Sequence, residues 1–212
     1  MDGNNRWSVK KGVSKFQAYD TGAKKLLQLS KIIFENYNTN YITAFALSTH
    51  NFKRPTYLVN NIIKVLENNI DNFINIEKAN FSIIFKGNLS FLKPSLLKKI
   101  KNIENKNNNK KKKLSVLLNY SGKEDILKSF ETSIKENKTT KKNFVKNLTL
   151  SDLPDPDILI RTGGYNRLSD FCLYNLAFTE LFFFNKLWPD FNKKDIETVI
   201  AKYLNIKRKF GS

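Results

Sequence analysis

The sequence is poor in residues that cross-link a chain or bind soft metals. Cys172 is the only cysteine and His50 the only histidine among 212 residues. A single cysteine excludes an intrachain disulfide framework and fits a reducing compartment. One cysteine and one histidine also supply too few soft ligands for a zinc site. The fold must therefore be held together by a buried apolar core.

Long apolar runs are absent as well. No run reaches the ~18 residues that cross a bilayer, and no charged-then-apolar signal peptide precedes residue 20. We therefore expect a cytoplasmic protein, with peripheral contact as its one form of membrane association. The 41% hydrophobic and 13% aromatic content is typical of a folded protein. A chain of this length predicts one domain, residues 1–212.

Acidic residues are scarce beside basic ones. The chain has 37 Lys+Arg against 19 Asp+Glu, a net charge of +18, which by itself suggests a nucleic acid or an anionic surface as partner. A simpler source is A/T-rich codons, which fit the 28 asparagines, together with a basic low-complexity loop or helix end at residues 102–113. Both interpretations stay open. The chain lacks an RNP-like aromatic pattern, so no nucleic acid is expected.

Two kinds of apolar pattern alternate along the chain. Helical stripes and short β-rich runs follow one another, which predicts an α/β fold with a mostly parallel central sheet flanked by helices. The predicted helices cover residues 23–35, 57–73, 94 onwards, 123–136 and 192–210, and the predicted strands lie within 41–47, 81–85, 114–122 and 158–160.

Polar loops follow three of these strands: "STHNFKRP", "NYSGKE" and "RTGGYNRLS". The carboxyl ends of parallel strands share one edge of a sheet, and α/β proteins hold ligands there. Arg161 and Arg167 can each grip a pair of phosphate oxygens, and Gly163–Gly164 predict an anion-binding nest of backbone N–H groups. Ser169 is a further donor or a helix cap. The alternative is two surface arginines in salt bridges beside a glycine turn.

The N-terminal "MDGNNRW" adds a carboxylate to a similar set of donors. Asp2 would repel a phosphate unless a divalent cation lay between them, and Mg²⁺ uses one or two carboxylates with phosphate oxygens. Glu180 is a second carboxylate, costly in its apolar stretch unless paired or metal-bound. A solvated terminus for Asp2 and a salt bridge for Glu180 are the alternatives. The chain has neither a GxxxxGK[ST] phosphate loop nor a GxGxxG fingerprint.

Taken together, these motifs resemble the cis-prenyltransferases, the family of undecaprenyl diphosphate synthase. The resemblance spans nearly the whole chain, through "MDGNNRW", "FALSTHNFKRP", "LNYSGKEDI" and the segment from "LPDPDILIRTGG" to "LWPDF". It implies an enzyme that condenses isopentenyl diphosphate onto an allylic diphosphate, such as farnesyl diphosphate, in cis. It further implies Mg²⁺, an apolar tunnel, a homodimer, and peripheral membrane contact through the polyprenyl product.

The resemblance also implies site residues. Asp2 and Asn51 are the catalytic positions, the latter for proton removal, and Asp2 and Glu180 are the metal positions. Arg161, Arg167 and Ser169 belong to the isopentenyl diphosphate site. The full set of implied substrate-binding positions is Gly3, Asn4, Asn5, Arg6, Trp7, Lys15, Tyr19, Ser48, Thr49, His50, Phe52, Arg54, Arg161, Arg167, Leu168 and Ser169. Candidate tunnel walls, or ordinary core, are Ala44, Phe45, Ala46, Leu47, Phe81, Ile83 and Phe85.

The chain departs from the family pattern in several places. A strand normally leads into Asp-Gly-Asn, whereas this sequence starts at Met1, so we expect that strand to be missing, either because the start was assigned too late or because the sheet is short. Asp2 would then be poorly held. Tyr19 stands for a histidine, Tyr165 for a glutamate and Lys15 for an arginine. Further departures lie at His50, Phe52 and Lys209. They leave open a catalytically weak scaffold subunit of the same fold.

Overall fold

Helices and strands alternate through most of the chain in the computed structural model, which describes residues 1–74, 80–107 and 109–207. The elements, in chain order, are α1 Asn4–Lys11, α2 Lys15–Asn36, β1 Tyr41–Ser48, α3 Thr56–Ile74, β2 Phe81–Gly87, α4 Pro94–Asn107, β3 Lys112–Tyr120, α5 Gly122–Lys135, α6 Lys141–Asn147, β4 Ile158–Arg161, β5 Glu180–Phe183 and α7 Lys193–Leu204.

All described strand pairs are parallel, which confirms the predicted α/β class. A three-stranded sheet has the order β1-β3-β2, and β4 pairs with β5 in a separate two-stranded sheet. In the larger sheet, Val116 of β3 lies between Ala44 of β1 and Phe85 of β2. The carboxyl ends of these three strands therefore lie at one edge, which we call the carboxyl edge.

Two apolar clusters cover the two sides of the larger sheet. The main core joins the sheet to α2, α3 and α4, through residues such as Leu29, Ile70 and Ile100. The second cluster places Leu117 and Tyr120 of β3 against β4 and the segment after it. Because β3 is central and covered on both sides, Leu114 to Leu118 are all buried, as expected for a parallel strand.

Several element bounds differ from the sequence prediction. Helix α2 begins eight residues earlier than predicted, at Lys15, where Ser14 and Gln17 form a reciprocal capping box. Helices α1 and α6 and strand β5 were not predicted. Helix α7 ends at Leu204, and the rest of its predicted range, from residue 208, lies outside the described residues.

The basic tract, residues 98–113, is part of regular structure for most of its length. Helix α4 continues to Asn107 and β3 begins at Lys112, so the predicted loop or helix end is helical from residue 102 to residue 107. Lys112 begins β3 at the amino edge of the larger sheet, opposite the carboxyl edge. No helix in the described ranges has the length and apolar character to span a membrane.

Candidate active site

The three polar loops meet at the carboxylate of Asp170. Asp170 Oδ2 accepts a hydrogen bond from Ser121 Oγ at 2.5 Å, and Oδ1 accepts one from Lys123 N at 2.9 Å, at the start of α5. His50 Nε2, from the loop after β1, lies 3.2 Å from Oδ2. The predicted convergence of loops at the carboxyl edge is confirmed, with an aspartate that the sequence analysis did not single out at its centre.

The backbone of Asp2 is held firmly, contrary to the expectation that it would be poorly positioned. Asp2 N donates to Thr162 Oγ1 at 3.0 Å, and Asp2 O accepts from Thr162 Oγ1 at 2.9 Å and from Trp188 N at 3.0 Å. Thr162 is fully buried at the end of β4. Residues 1–3 form no strand, so side-chain and loop contacts take the place of a sheet ladder.

The carboxylate of Asp2 lies between two arginines. Arg161 Nη2 is 3.0 Å from Oδ2 and Arg6 Nη2 is 3.5 Å from Oδ1. The Arg161 side chain is only 13% exposed, against 38% for Asp2. The end of β4 and the first turn of α1 therefore share one charged cluster, as the paired motifs predicted.

Arg161 also organises the turn that follows it. Its Nη1 donates to Ser169 Oγ at 2.7 Å and to the carbonyl oxygen of Arg167. Its Nε is buried without a hydrogen-bond partner in the described structure, a costly arrangement. Ser169 and Asp170 both have positive φ angles, 51° and 66°, a conformation that non-glycine residues adopt mainly where contacts enforce it.

The predicted glycine nest is wrong. Gly163 N donates to Lys186 O at 2.9 Å and Gly164 N to Phe184 O at 2.8 Å, so both N–H groups are used by the backbone. Gly163 instead permits close approach. A Cβ atom there would lie 2.7 Å from Arg6 Nη2 and 3.1 Å from Asp2 Cβ, a space that only glycine leaves open.

The first turn of α1 carries the remaining N-terminal positions. Gly3, at φ 110°, precedes the helix and accepts a hydrogen bond from Trp7 N. Asn4 Nδ2 donates to Met1 O, while Asn4 Oδ1 is buried without a partner in the described structure. Asn5 Oδ1 accepts from Tyr19 OH at 2.8 Å. Trp7 points away from this cluster and donates its Nε1–H to Asp190.

Tyr19 and Lys15 extend the site along α2. Lys15 Nζ donates to Tyr57 OH at 2.8 Å. Burial raises the pKa of Tyr19, and this outweighs its hydrogen bond to Asn5 and the positive charges of Arg54 and Lys15. Tyr19 therefore stays a neutral hydroxyl donor at physiological pH, where a histidine would titrate.

The loop after β1 forms a short 3₁₀ helix, Thr49–Lys53. Asn51 Oδ1 accepts from Ser48 N at 3.0 Å, which fixes the amide plane. Phe52 packs edge-on against Phe91 at 5.2 Å. Thr49 and Arg54 are exposed at the same edge.

Glu180 lies at the other end of the β4–β5 pair from Arg161, which contacts Asp2. It lies opposite Ile158 at the start of β5, whereas Arg161 lies opposite Phe183. That separation of three residues is about 10 Å along the backbone, and Glu180 as a second metal carboxylate stays a prediction. Among the described residues, no group of three or more His, Cys, Asp or Glu side chains is placed to hold a metal.

Two other sets of predicted positions lie in packed regions. Leu168 packs against the second cluster rather than standing free. Of the candidate tunnel walls, Phe45 belongs to the second cluster and stacks on Phe171 at 5.0 Å. The others lie in or against the main core: Ala44, Ala46, Leu47, Phe81, Ile83 and Phe85. The tunnel stays a prediction, and Phe45 is on the wrong side of the sheet to line one passage with the rest.

Comparison with characterised sequences places these features in a family. The family model described as "Putative undecaprenyl diphosphate synthase" matches residues 1–211. A protein of Thermotoga maritima named isoprenyl transferase is 35% identical, over 100% of this chain and 94% of its own length. Dehydrodolichyl diphosphate synthase 3 of Arabidopsis thaliana is 34% identical, over 100% of this chain and 74% of its own length.

Solved structures agree. Lavandulyl diphosphate synthase from Lavandula x intermedia, in complex with dimethylallyl diphosphate, superposes with a TM-score of 0.90 at 26% identity, covering 100% of this chain and 95% of that one. A probable undecaprenyl diphosphate synthase from Campylobacter jejuni gives 0.81 at 27% identity, covering 91% and 92%. With its parallel strands, arginine-ringed carboxyl edge and family match over nearly every residue, the chain belongs to the undecaprenyl diphosphate synthase family and is a cis-prenyltransferase.

Proposed function

We propose that this prenyltransferase condenses isopentenyl diphosphate with an allylic diphosphate, such as farnesyl diphosphate, at the carboxyl edge. The observation that carries the proposal is the cluster in which Arg161 contacts both Asp2 and Ser169. The cluster joins hydrogen-bond donors suited to the diphosphate of isopentenyl diphosphate, Arg161 and Ser169, to the Asp2 carboxylate and the N-terminus of α1. These two features suit the allylic diphosphate. Two anionic substrates held side by side need this excess of positive charge.

The isopentenyl diphosphate site uses Arg161, Arg167 and Ser169. The Arg161 side chain is largely enclosed and already oriented by its contacts with Asp2 and the Ser169 hydroxyl. Its guanidinium supplies positive charge beside the diphosphate, and the exposed Arg167 supplies a planar fork. Holding the diphosphate end fixes the position of the reacting double bond.

The allylic diphosphate site is at the N-terminus of α1. The first-turn N–H groups of Asn4, Asn5 and Arg6 have no acceptor within the helix, which makes such a terminus a favourable anion site. The Arg6 guanidinium, 46% exposed, lies beside it. These donors favour the departing diphosphate because negative charge builds up on it as the allylic C–O bond breaks.

The donor set fits Mg²⁺ at Asp2. One carboxylate with diphosphate oxygens and waters is a usual magnesium environment, and Asp2 is fixed in place by Thr162 and Trp188. When bound, Mg²⁺ neutralises charge on the leaving diphosphate. Arg161 and Arg6 hold the Asp2 carboxylate at the boundary of the two diphosphate sites, and Asn51 presents an oriented amide near the place where a proton must leave.

Incubation of the protein with farnesyl diphosphate, labelled isopentenyl diphosphate and Mg²⁺ tests the proposal. Labelled polyprenyl diphosphate is expected, and R161K should lower kcat/KM by roughly 10²–10³-fold because lysine cannot form the paired contacts. S169A should lower it less, and S95A, an exposed serine at the start of α4, is the matched control. A wild-type protein that makes no product would support a scaffold subunit instead.

A homodimer is the proposed assembly. Helix α5 exposes Leu127, Phe130 and Ile134 at 55%, 54% and 48%, and their spacing places them on one face. Phe130 also lines a groove of about 350 Å³ with Phe144 and Tyr174. Large exposed apolar patches of this kind mark interaction surfaces.

Peripheral membrane contact is proposed through the basic tract. Lys98, Lys101 and Lys111 are exposed along the basic tract, and lysines near an anionic surface attract it by about 1 kcal/mol each. In liposome flotation, replacing these three lysines by glutamine should lower recovery with anionic vesicles but leave recovery with neutral vesicles unchanged. Equal recovery of both proteins with anionic vesicles would refute the contact.

A further inference from the structure

The ring of Tyr165 is surrounded by guanidinium groups. The Cζ atoms of Arg167, Arg6 and Arg161 lie 4.1, 4.9 and 5.8 Å from the ring centroid. All three are within the ~6 Å at which a cation is attracted to the face of an aromatic ring. The arginines come from two segments, α1 and the end of β4 with the turn after it, and Tyr165 contacts both.

The charge around Tyr165 is unbalanced. Within the described ranges, Asp2 is the one carboxylate at ion-pair distance from these arginines, contacting Arg6 and Arg161. Three guanidiniums and one carboxylate leave a net charge of +2. Like charges held this close repel each other unless an anion or a polarisable surface separates them. A neutral aromatic ring provides such a surface without competing for the hydrogen-bonding edges of the guanidiniums.

We propose that Tyr165 is a positioning residue that orients the arginines of both diphosphate sites at once, an inference that rests on the proposed function. Its ring lies within cation–π distance of all three arginines and attracts them without accepting a hydrogen bond from any of their N–H groups. Arg6 belongs to the allylic site, and Arg161 and Arg167 to the isopentenyl site. One side chain thereby couples the geometry of the two substrates.

The local backbone supports this role. Gly163 and Gly164, with φ of 91° and 78°, turn the chain so that the ring stands beside the arginines. The ring is 41% exposed and lies outside both apolar clusters, so it contributes little to the core. The family pattern has glutamate at this position, and a carboxylate there would pair with the same guanidiniums and occupy the N–H edges that Tyr165 leaves open.

The test compares Y165F, Y165L and Y165E with wild type. Each cation–π contact at an exposed site corresponds to about a two- to fivefold change in an equilibrium constant. Y165L loses two close contacts and should weaken binding of inorganic pyrophosphate, measured by calorimetry, by about tenfold. Y165F keeps the ring and should bind like wild type. Y165E should bind pyrophosphate more weakly and with a shallower salt dependence, because the cluster loses one unit of positive charge.

Steady-state kinetics supply the second readout. In Y165L, KM should rise by about tenfold for isopentenyl diphosphate and for farnesyl diphosphate together, while kcat falls by less than about threefold. Y41L is the matched control, since Tyr41 has 40% exposure and begins β1 at the amino edge. The melting temperatures of the variants should stay close to that of wild type. If Y165L melts lower, the comparison of pyrophosphate binding by Y165F and Y165E tests the role of the ring instead.

Two results would overturn the inference. Pyrophosphate affinity and both KM values in Y165L equal to wild type would show that the ring does not position the arginines. A rise in only one KM would show that it serves one site. In both cases wild type still forms polyprenyl product, which separates this failure from failure of the proposed function, where wild type itself forms none.

Discussion

Gly163 has no side chain, and this allows Arg6 and Asp2 to lie close to its backbone. Its φ of 91° lies in the left-handed region, and an added Cβ would lie 2.7 Å from Arg6 Nη2 and 3.1 Å from Asp2 Cγ. G163A should therefore move Arg6 and Asp2 apart and lower kcat/KM by roughly tenfold or more, since an ångström of misplacement is costly at a reacting centre. The measurement is the labelled isopentenyl diphosphate assay.

Gly12 provides a control for the backbone part of this effect. Its φ is also left-handed, 64°, but nothing lies within 4 Å of its added Cβ. G12A and G163A should both lose about 1–2 kcal/mol of stability through backbone strain, as measured by urea unfolding. Only G163A should lose activity. Equal activity losses would show that strain, and not displacement of Arg6 and Asp2, explains the effect.

The sequence predicted the charged side chains of the site but not the residues that hold them in place. Motif resemblance identified the charged and polar groups that the structure brings together, Asp2, Arg6, Arg161 and Ser169. Thr162 was missed because a buried threonine at a strand end has no signature of its own. Asp170 was missed because its role depends on contacts with distant segments, such as the one with His50. Tyr165 was noted only as a departure from the family pattern, because its contact with Arg6 joins distant parts of the sequence.

Among the elements, α4 is fixed to the edge of the larger sheet by a carboxylate. Strand β2 is an edge strand, and Phe85 N donates to Glu104 Oε1 at 2.8 Å across the α4–β2 contact. Such bonds satisfy edge N–H groups that would otherwise be exposed to other strands. Burial raises the pKa of Glu104, and this outweighs the Phe85 N–H and the charges of Lys86 and Lys101.

This raised pKa predicts a pH dependence of stability. A carboxylate whose folded pKa lies above its unfolded value binds protons more tightly when folded, so its stabilising effect is complete below the unfolded pKa and is lost as pH rises through the folded pKa. E104Q keeps the acceptor oxygen and removes the titration. Its stability relative to wild type should therefore increase from pH 4 to pH 7 in urea unfolding. A stability difference between E104Q and wild type that stays constant from pH 4 to pH 7 would contradict the assignment.

The elements show where sequence patterns fail. Helices α2 to α5 and strands β1 to β4 were predicted because each has a long apolar stripe or a short β-rich run. Helix α1 has no buried apolar residue, only Ser8, and is held by polar contacts and the glycine before it. Strand β5 has four residues, too few to show a clear alternating pattern in the sequence. Its pairing with β4 defines it as a strand.

The whole molecule is polarised between its two sheet edges. Arginines, amides and the Asp2 carboxylate collect at the carboxyl edge, and the basic tract begins β3 at the amino edge. Helix α5 carries exposed apolar side chains, through which the proposed dimer would form in spite of the net charge of +18.

The exposed apolar face of α5 is predicted to form the contact between two copies of the chain. In a two-fold dimer the same patch on each chain meets its copy, so one substitution acts twice. F130E would bury two like charges in an apolar contact, which should raise the dimer dissociation constant by at least about 100-fold. Sedimentation should give about twice the 24.6 kDa chain mass for wild type and the single-chain mass for F130E.

The control for this experiment is V9E. Val9 is 79% exposed on α1, on a different surface, and a glutamate there should leave the dimer intact. Circular dichroism should show the same fold for both variants, because Phe130 is half-exposed and its loss removes little buried area. A wild type that sediments as one chain at micromolar concentration, or F130E that remains dimeric, would show that α5 is not the surface through which two copies meet.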